Sequence, residues 1–82
     1  MASVKMKVNL NETDKIKVFV NRLSAQPFEA DLSSGRYIVD GKSLLGIFSL
    51  DLANPVELTI HSTPEECDGF IDWLAQEGIL CG

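Results

Sequence analysis

The sequence predicts an α+β fold in which four antiparallel strands form one sheet and three helices pack on a single face of it. Apolar residues alternate with polar ones from Val4 to Leu10 and from Val56 to Ile60, the period of a strand with one buried face. After Asp14 and after Pro64 they recur every three or four residues, as in an amphipathic helix. The predicted order of elements is βαββαβα, and strands with one apolar face favour helices on that side only.

The first helix begins near Asp14 and ends before Pro27, because the residue preceding a proline is disfavoured in a helix. The second and third strands form a hairpin, since the alternating residues 28–32 and the run 36–39 flank the turn signal Ser33-Ser34-Gly35. The apolar stripe of the first helix comprises Ile16, Phe19, Val20 and Leu23.

Both later helices carry start signals. Ser43 is placed as the N-cap of a short helix over 44–50. After the fourth strand, Thr63-Pro64-Glu65-Glu66 reads as a capping box with proline at the first helical position, and Gly78 as the stop. The buried stripe of this last helix comprises Cys67, Phe70, Ile71 and Leu74.

Length and charge restrict the classes of function. We expect residues 1–82 to form one domain, too small to enclose a large substrate or a cofactor. A net charge of −5 argues against nucleic acid as a partner. The chain has no apolar run long enough for a bilayer and no signal-peptide core, so we expect a cytoplasmic protein without a membrane partner.

The charges are segregated along the chain. Residues 1–24 hold five basic and two acidic side chains, whereas residues 25–82 hold two basic and ten acidic ones. Such a dipole can orient an encounter with an acidic protein surface, although a solvated surface without a partner explains it equally well.

Two cysteines and one histidine are too few for a zinc cluster or a disulfide framework, so we expect no metal and two reduced thiols. Cys67 lies on the apolar stripe of the last helix, which predicts a buried structural role. Cys81 is either a reactive thiol or part of a frayed terminus. His61 falls on the wet face of the fourth strand and is expected to be exposed.

The short helix is too apolar for its size. Leu44, Leu45, Ile47 and Phe48 span about 160° of its circumference, whereas a short helix on a sheet can hide only about 100–120°. Some of these side chains should therefore be exposed, and an exposed apolar patch rimmed by polar residues is typical of a protein contact site. The alternative is that the connection 51–55 covers them.

The segments GKSLLGIFSL (41–50) and PVELTI (55–60) resemble the central part of the histidine-containing phosphocarrier protein, HPr, of the sugar phosphotransferase system. The most specific part of this resemblance is the motif formed by Lys42, Ser43, Gly46, Ser49 and Leu50, and the element order matches throughout the chain. The resemblance implies an open-faced β-sandwich and a phosphocarrier component rather than an enzyme with its own turnover.

The family's phosphocarrier histidine is missing here. That family carries phosphate on a histidine in a Gly-Leu-His-x-Arg-Pro motif before the first helix, but this chain reads LNETDK (10–15). Alignment on Phe19 puts Glu12 near the acceptor position and Asp14 near that of the arginine, while Lys15 takes the place of the proline. Two carboxylates repel a phosphoryl donor, so histidine phosphocarrier activity is not expected.

The resemblance implies two further roles. Ser43 matches the regulatory serine that an ATP-dependent HPr kinase phosphorylates, where Lys42 and the helix amides would stabilise a phosphate; a purely structural N-cap is the alternative. Leu44, Leu45 and Phe48 match the family's apolar docking surface, and we expect Lys15, Val18 and Arg22 to lie beside it.

Three functions remain open. The first is a protein-binding or regulatory module acting through the helix at 43–50, with phosphotransferase system components, HPr kinase or a transcriptional regulator as partners. The second is a phosphotransfer or regulatory component phosphorylated on Ser43 or, less plausibly on electrostatic grounds, on Glu12. The third is an interaction domain unrelated to sugar transport.

Overall fold

The computed structural model describes residues 2–81 and contains four strands and three helices in the predicted βαββαβα order. The sheet has the strand order β1-β4-β2-β3, and every neighbouring pair is antiparallel. The prediction of an α+β open-faced β-sandwich is therefore confirmed. The elements are β1 (Val4–Val8), α1 (Thr13–Ser24), β2 (Glu29–Ser34), β3 (Tyr37–Asp40), α2 (Leu44–Phe48), β4 (Val56–His61) and α3 (Pro64–Gln76).

The hydrophobic core lies between the helices and one face of the sheet. Leu58 in β4 stands opposite Met6 in β1 and Leu32 in β2, so apolar side chains form a continuous row across the strands. Phe70 of α3 packs against two other aromatic rings. Its ring centre lies 6.1 Å from that of Phe19 in α1 and 5.8 Å from that of Phe28, which precedes β2. Residues that are fully buried include Val8, Leu32, Leu58 and Ile60 from the sheet and Phe19, Leu23, Ile47 and Leu74 from the helices.

Two glycines occupy positions in and after the β2–β3 hairpin where a larger residue would be strained or crowded. Gly35 adopts a φ of +59° in the two-residue turn, a position that favours glycine because other residues rarely adopt positive φ. Gly41 follows β3 at a point of close approach, where an added Cβ would lie 2.9 Å from a methyl carbon of Leu23 and 3.0 Å from the carbonyl oxygen of Ala30.

Both predicted N-caps form. The Ser43 hydroxyl accepts a hydrogen bond from the Gly46 amide (3.2 Å), and the Thr63 hydroxyl accepts one from the Glu66 amide (3.3 Å). The side chain expected to complete the capping box behaves differently, because the Glu66 carboxylate accepts from the Ser62 hydroxyl (3.0 Å). Ser62 is itself buried, so this hydrogen bond satisfies a polar group inside the fold.

The C-terminal segment is ordered against the sheet, so the expectation that Cys81 lies in a frayed terminus is wrong. Gly78 ends α3 with a φ of +72°, and the Ile79 amide donates to the Leu74 carbonyl (3.0 Å), the pattern of a Schellman motif. Ile79 is buried, Leu80 pairs with Val8, and the Cys81 amide donates to the Lys7 carbonyl (2.9 Å). The segment thus covers the C-terminal end of the outer edge of β1.

Candidate functional site

Three apolar side chains of α2 are exposed to solvent. Leu45 is 85% exposed, Phe48 46% and Leu44 37%, whereas Ile47 between them is buried. The expectation that the apolar arc is too wide to bury completely is confirmed, and the connection 51–55 does not cover it. We call Leu44, Leu45 and Phe48 the α2 patch.

Close packing on the sheet decides which side of α2 is buried. Gly46 faces Val39 of β3 so closely that an added Cβ would lie 3.2 Å from the Val39 Cβ. Ile47 and Leu50 are both buried in the core on this side. Leu44, Leu45 and Phe48 do not share this packed side and are exposed, so the α2 patch lies outside the core.

Ser43 lies at the start of α2 with its hydroxyl oxygen engaged in the N-cap. Lys42, which was expected to stabilise a phosphate on Ser43, is already bound elsewhere. Its Nζ lies 3.0 Å from the Glu29 carboxylate and donates to the Gln26 carbonyl (3.3 Å), and the side chain is only 20% exposed. Lys42 could therefore stabilise a phosphate on Ser43 only after its ammonium group had left these two partners.

The α1 N-terminus holds the two carboxylates that replace the phosphocarrier motif. Glu12 is the N-cap residue, in an extended conformation and without a side-chain cap hydrogen bond, and Asp14 lies in the first turn. Both are exposed, and the positive end of the helix dipole favours negative charge there. This arrangement fits two helix-start carboxylates better than a phosphate acceptor.

His61 lies on the opposite face of the sheet, which the helices do not cover. Its Nε2 is 2.6 Å from the Asp31 carboxylate, and both side chains are about half exposed to solvent. As expected from its place in β4, His61 is exposed, and the sheet separates it from the α1 N-terminus.

The predicted site residues on α1 fall on a different surface from the α2 patch. The Arg22 guanidinium lies 5.3 Å from the centre of the Trp73 ring in α3, and Val18 lines a groove of about 330 Å³ with these two side chains. Helix α1 contacts α2 and also packs against α3 through Phe19, so it lies between them. Val18 and Arg22 therefore lie at the groove beside Trp73, and Lys15 falls on the same stripe of α1.

Two features of the surface were missed from the sequence. Trp73 forms the wall of the groove beside α1 and stacks on Phe70 with ring centres 5.7 Å apart. Its position three residues after Phe70 on the buried stripe could have indicated this contact. The second feature is a cleft of about 490 Å³ between the hairpin turn at 34–37 and the end of α2 at 49–51.

The described residues contain no group of three or more metal-ligating side chains and no helix long and apolar enough to cross a bilayer. Both cysteines are free, and burial raises the pKa of the Cys67 thiol above its ordinary value. The carboxylates of Asp68, Glu66 and Glu65 act in the same direction. Cys67 is therefore a neutral core residue rather than a nucleophile.

Comparison with protein-family models and with curated proteins identifies no relative. No protein-family model matches the sequence, and no curated protein matches it. The function is therefore inferred from the surface of the molecule and from the resemblance of the segments 41–50 and 55–60 to HPr.

Proposed function

We propose that this chain is a cytoplasmic, HPr-like protein-binding or regulatory module that docks partners through the α2 patch and has no histidine phosphocarrier activity. The observation that carries the proposal is the exposure of Leu44, Leu45 and Phe48 on a helix whose other side is firmly packed. The sequence motif around Ser43 supports a partner drawn from the phosphotransferase system, its HPr kinase or a transcriptional regulator.

The energetics favour docking at this position. Burying one Leu or Phe side chain at an interface contributes about 1.5–3 kcal/mol, and the α2 patch offers three such side chains on one short helix. Ser43 and Ser49 at the two ends of α2 supply a polar rim, as protein interfaces commonly have. Charged residues farther away affect the encounter rate and the salt dependence more than the affinity.

Binding to each of the three partner classes tests this proposal. We expect Leu45→Ala and Phe48→Ala to weaken binding about tenfold or more, since each removes part of the buried apolar area. Ile38→Ala is the matched control, because Ile38 is equally apolar and 70% exposed but lies on the uncovered face of the sheet. Equal loss of affinity in the Ile38 variant, or none in the α2 variants, would contradict docking through this patch.

Folding stability should separate binding from structure in the same series. Phe48→Ala should leave the free energy of unfolding within about 1 kcal/mol of the parent, because roughly half of the ring is already in solvent. Ile47→Ala should cost about 2–5 kcal/mol, because Ile47 is buried in the core. Urea denaturation of both variants checks this difference, and equal costs would place Phe48 in the core.

The alternative function is regulation by phosphorylation of Ser43, favoured by the position of its hydroxyl at the start of α2, beside the proposed docking surface. Incubation with HPr kinase and ATP, followed by mass spectrometry, tests it. A phosphate on Ser43 would place a dianion at the rim of the α2 patch and should oppose docking of an acidic or apolar partner. An unmodified protein would leave Ser43 as a structural N-cap.

A further inference from the structure

The two edges of the sheet are finished differently. The C-terminal end of the outer edge of β1 is covered by the C-terminal segment, through the pairing of Leu80 with Val8 and the hydrogen bond from Cys81 to Lys7. The other edge is β3, which pairs with β2, and no further strand of the described residues lies beside it. The β3 edge is therefore open along its whole length to pairing with another chain.

The open edge has large apolar side chains on both of its faces. Tyr37 is 71% exposed on the face that carries the helices, and Ile38 is 70% exposed on the uncovered face. Proteins usually protect an exposed edge by keeping the strand short or by placing charged side chains, proline or a bulge on it. Strand β3 is short, with four residues, and ends in Asp40, but it contains no lysine or proline and carries no bulge in its pairing with β2.

The hairpin geometry sets which backbone groups of β3 point outward. In a two-residue hairpin the residues flanking the turn, here Ser34 and Tyr37, exchange hydrogen bonds, and bonded positions then alternate along the strand. The Gly41 amide donates to the Ala30 carbonyl (2.8 Å), and this alternation predicts a hydrogen-bonded pair at that position. Tyr37 and Val39 therefore turn their backbone groups toward β2, and Ile38 turns its amide and carbonyl outward.

We propose that a second copy of this chain pairs along the open edge, strand β3 against strand β3 in antiparallel orientation, with the twofold axis between the two Ile38 residues. In this register each Ile38 exchanges both backbone hydrogen bonds with the partner's Ile38, as the outward groups require. The two isoleucine side chains meet on the uncovered face. Tyr37 lies opposite the partner's Val39 on the other face.

Charge complementarity selects this register. Arg36 lies in the turn immediately before the strand and Asp40 is its last residue, so antiparallel pairing brings the Arg36 of each chain close to the partner's Asp40. Within one chain Asp40 faces Asp31, a like-charged pair on the uncovered face, so a guanidinium arriving there lowers the repulsion. Sliding the pairing by two residues sets Arg36 opposite the partner's Lys42 and loses the ion pair.

The interface is small, so we expect weak association between the two copies. The four residues of β3 from each chain bury much less than the roughly 1,200–2,000 Å² of a stable complex, so we expect a dissociation constant of about 0.1–1 mM. The pairing is independent of docking through the α2 patch.

Sedimentation equilibrium of the full chain up to about 2 mM, a concentration above the expected dissociation constant, tests the proposal. We expect a monomer–dimer equilibrium that Ile38→Lys abolishes and that Arg36→Glu weakens about tenfold, since a twofold interface repeats the contact. Combining Arg36→Glu with Asp40→Lys should restore it. The matched control is Lys7→Glu, which makes the same charge change on β1 at the opposite edge of the sheet and should leave dimerisation unchanged.

The Asp40 carboxylate accepts a hydrogen bond from the Lys42 amide, and the Asp40→Lys variant loses this bond. Amide hydrogen exchange of the parent protein gives a second measurement that does not depend on the folding of that variant. The outward amide of Ile38 should exchange more slowly as protein concentration rises, while the inward amide of Val39 is already protected. A monomer at the highest concentration, or a dimer that Ile38→Lys leaves intact, overturns the proposal. The protein could also stay monomeric and show protection of the Ile38 amide only when a different protein is added. That result would mean that the β3 edge binds a strand of another protein, and it would also overturn the proposal.

Discussion

Ile47 and Phe48 are adjacent in the sequence and similar in hydrophobicity, yet the first is buried in the core and the second is half exposed. The difference follows from the 100° rotation between successive residues of a helix and from the contact of Gly46 with Val39. Neighbouring apolar residues in this chain therefore carry different roles, one in folding and one in the proposed docking.

Gly41 and Gly69 provide a matched pair of substitutions. Gly41→Ala should lower the free energy of unfolding by about 1–3 kcal/mol, because the new methyl group would meet Leu23 and the carbonyl of Ala30. Gly69→Ala should raise it by about 0.5–1 kcal/mol, because Gly69 lies inside α3 with open space around its Cα and alanine favours a helix. Urea denaturation of both variants checks the opposite signs, and a shared sign would refute the packing described around Gly41.

The two thiols should differ in reactivity. In a Cys81→Ser variant the remaining Cys67 thiol should react with iodoacetamide at least about 100-fold more slowly than Cys81 does in the parent, because it is exposed only when the core opens. Since the pKa of Cys67 is raised in the folded state, only the unfolded chain releases this proton near pH 8.5. The thiol contribution to stability is present below that pH and is lost as the pH rises above it. Similar alkylation rates for the two thiols would contradict a buried Cys67.

At the scale of the element, the helix ends are determined by short-range chemistry. Ser43 and Thr63 cap α2 and α3 through amides three residues away, and Gly78 ends α3 in a left-handed conformation. The last of these also directs the chain back to the sheet, since Ile79 enters the core immediately afterwards. The left-handed turn at Gly78 thus positions the segment that covers the C-terminal end of the β1 edge.

Gly78→Ala should cost about 1–2 kcal/mol of stability, because alanine pays the steric cost of a positive φ that glycine avoids. The amide of Cys81 should also exchange faster, since its hydrogen bond to Lys7 depends on the direction that the chain takes after α3. Glu77→Ala is the control, because Glu77 is exposed with an ordinary helical φ of −82°. Unchanged exchange at Cys81 would show that the terminal segment docks independently of the turn.

At the scale of the molecule, the basic N-terminal third of the sequence does not form a single basic surface. Lys5 and Lys7 lie on the uncovered face of the sheet, whereas Lys15, Lys17 and Arg22 lie on α1, which packs against the other face. The charge segregation seen along the chain is therefore divided between two sides of the fold. This weakens the case for a steering dipole and leaves the α2 patch as the main argument for a partner.

The whole surface around the α1 N-terminus also argues against phosphate transfer. Incubation with enzyme I and phosphoenolpyruvate should leave the mass of the protein unchanged, because Glu12 and Asp14 repel the donor and His61 lies across the sheet. Mass spectrometry under neutral conditions checks this, with an authentic HPr as the positive control. Acid-labile phosphate on His61 or Glu12 would refute the assignment.

The sequence by itself determined the element order, the helix caps and the exposure of the α2 patch, because periodicity, capping and helical arc all depend on residues within about four positions of one another. It did not indicate that Leu80 and Cys81 would pair with β1, nor that Arg22 would lie on Trp73 instead of beside α2. These contacts join residues more than fifty positions apart. A local sequence pattern shows which face of α1 is apolar, but it does not show which other helix packs on each side of α1. The burial of Ile79 and the placing of β3 at an open edge likewise required the packed sheet, since strand order is settled only when all apolar faces share one core.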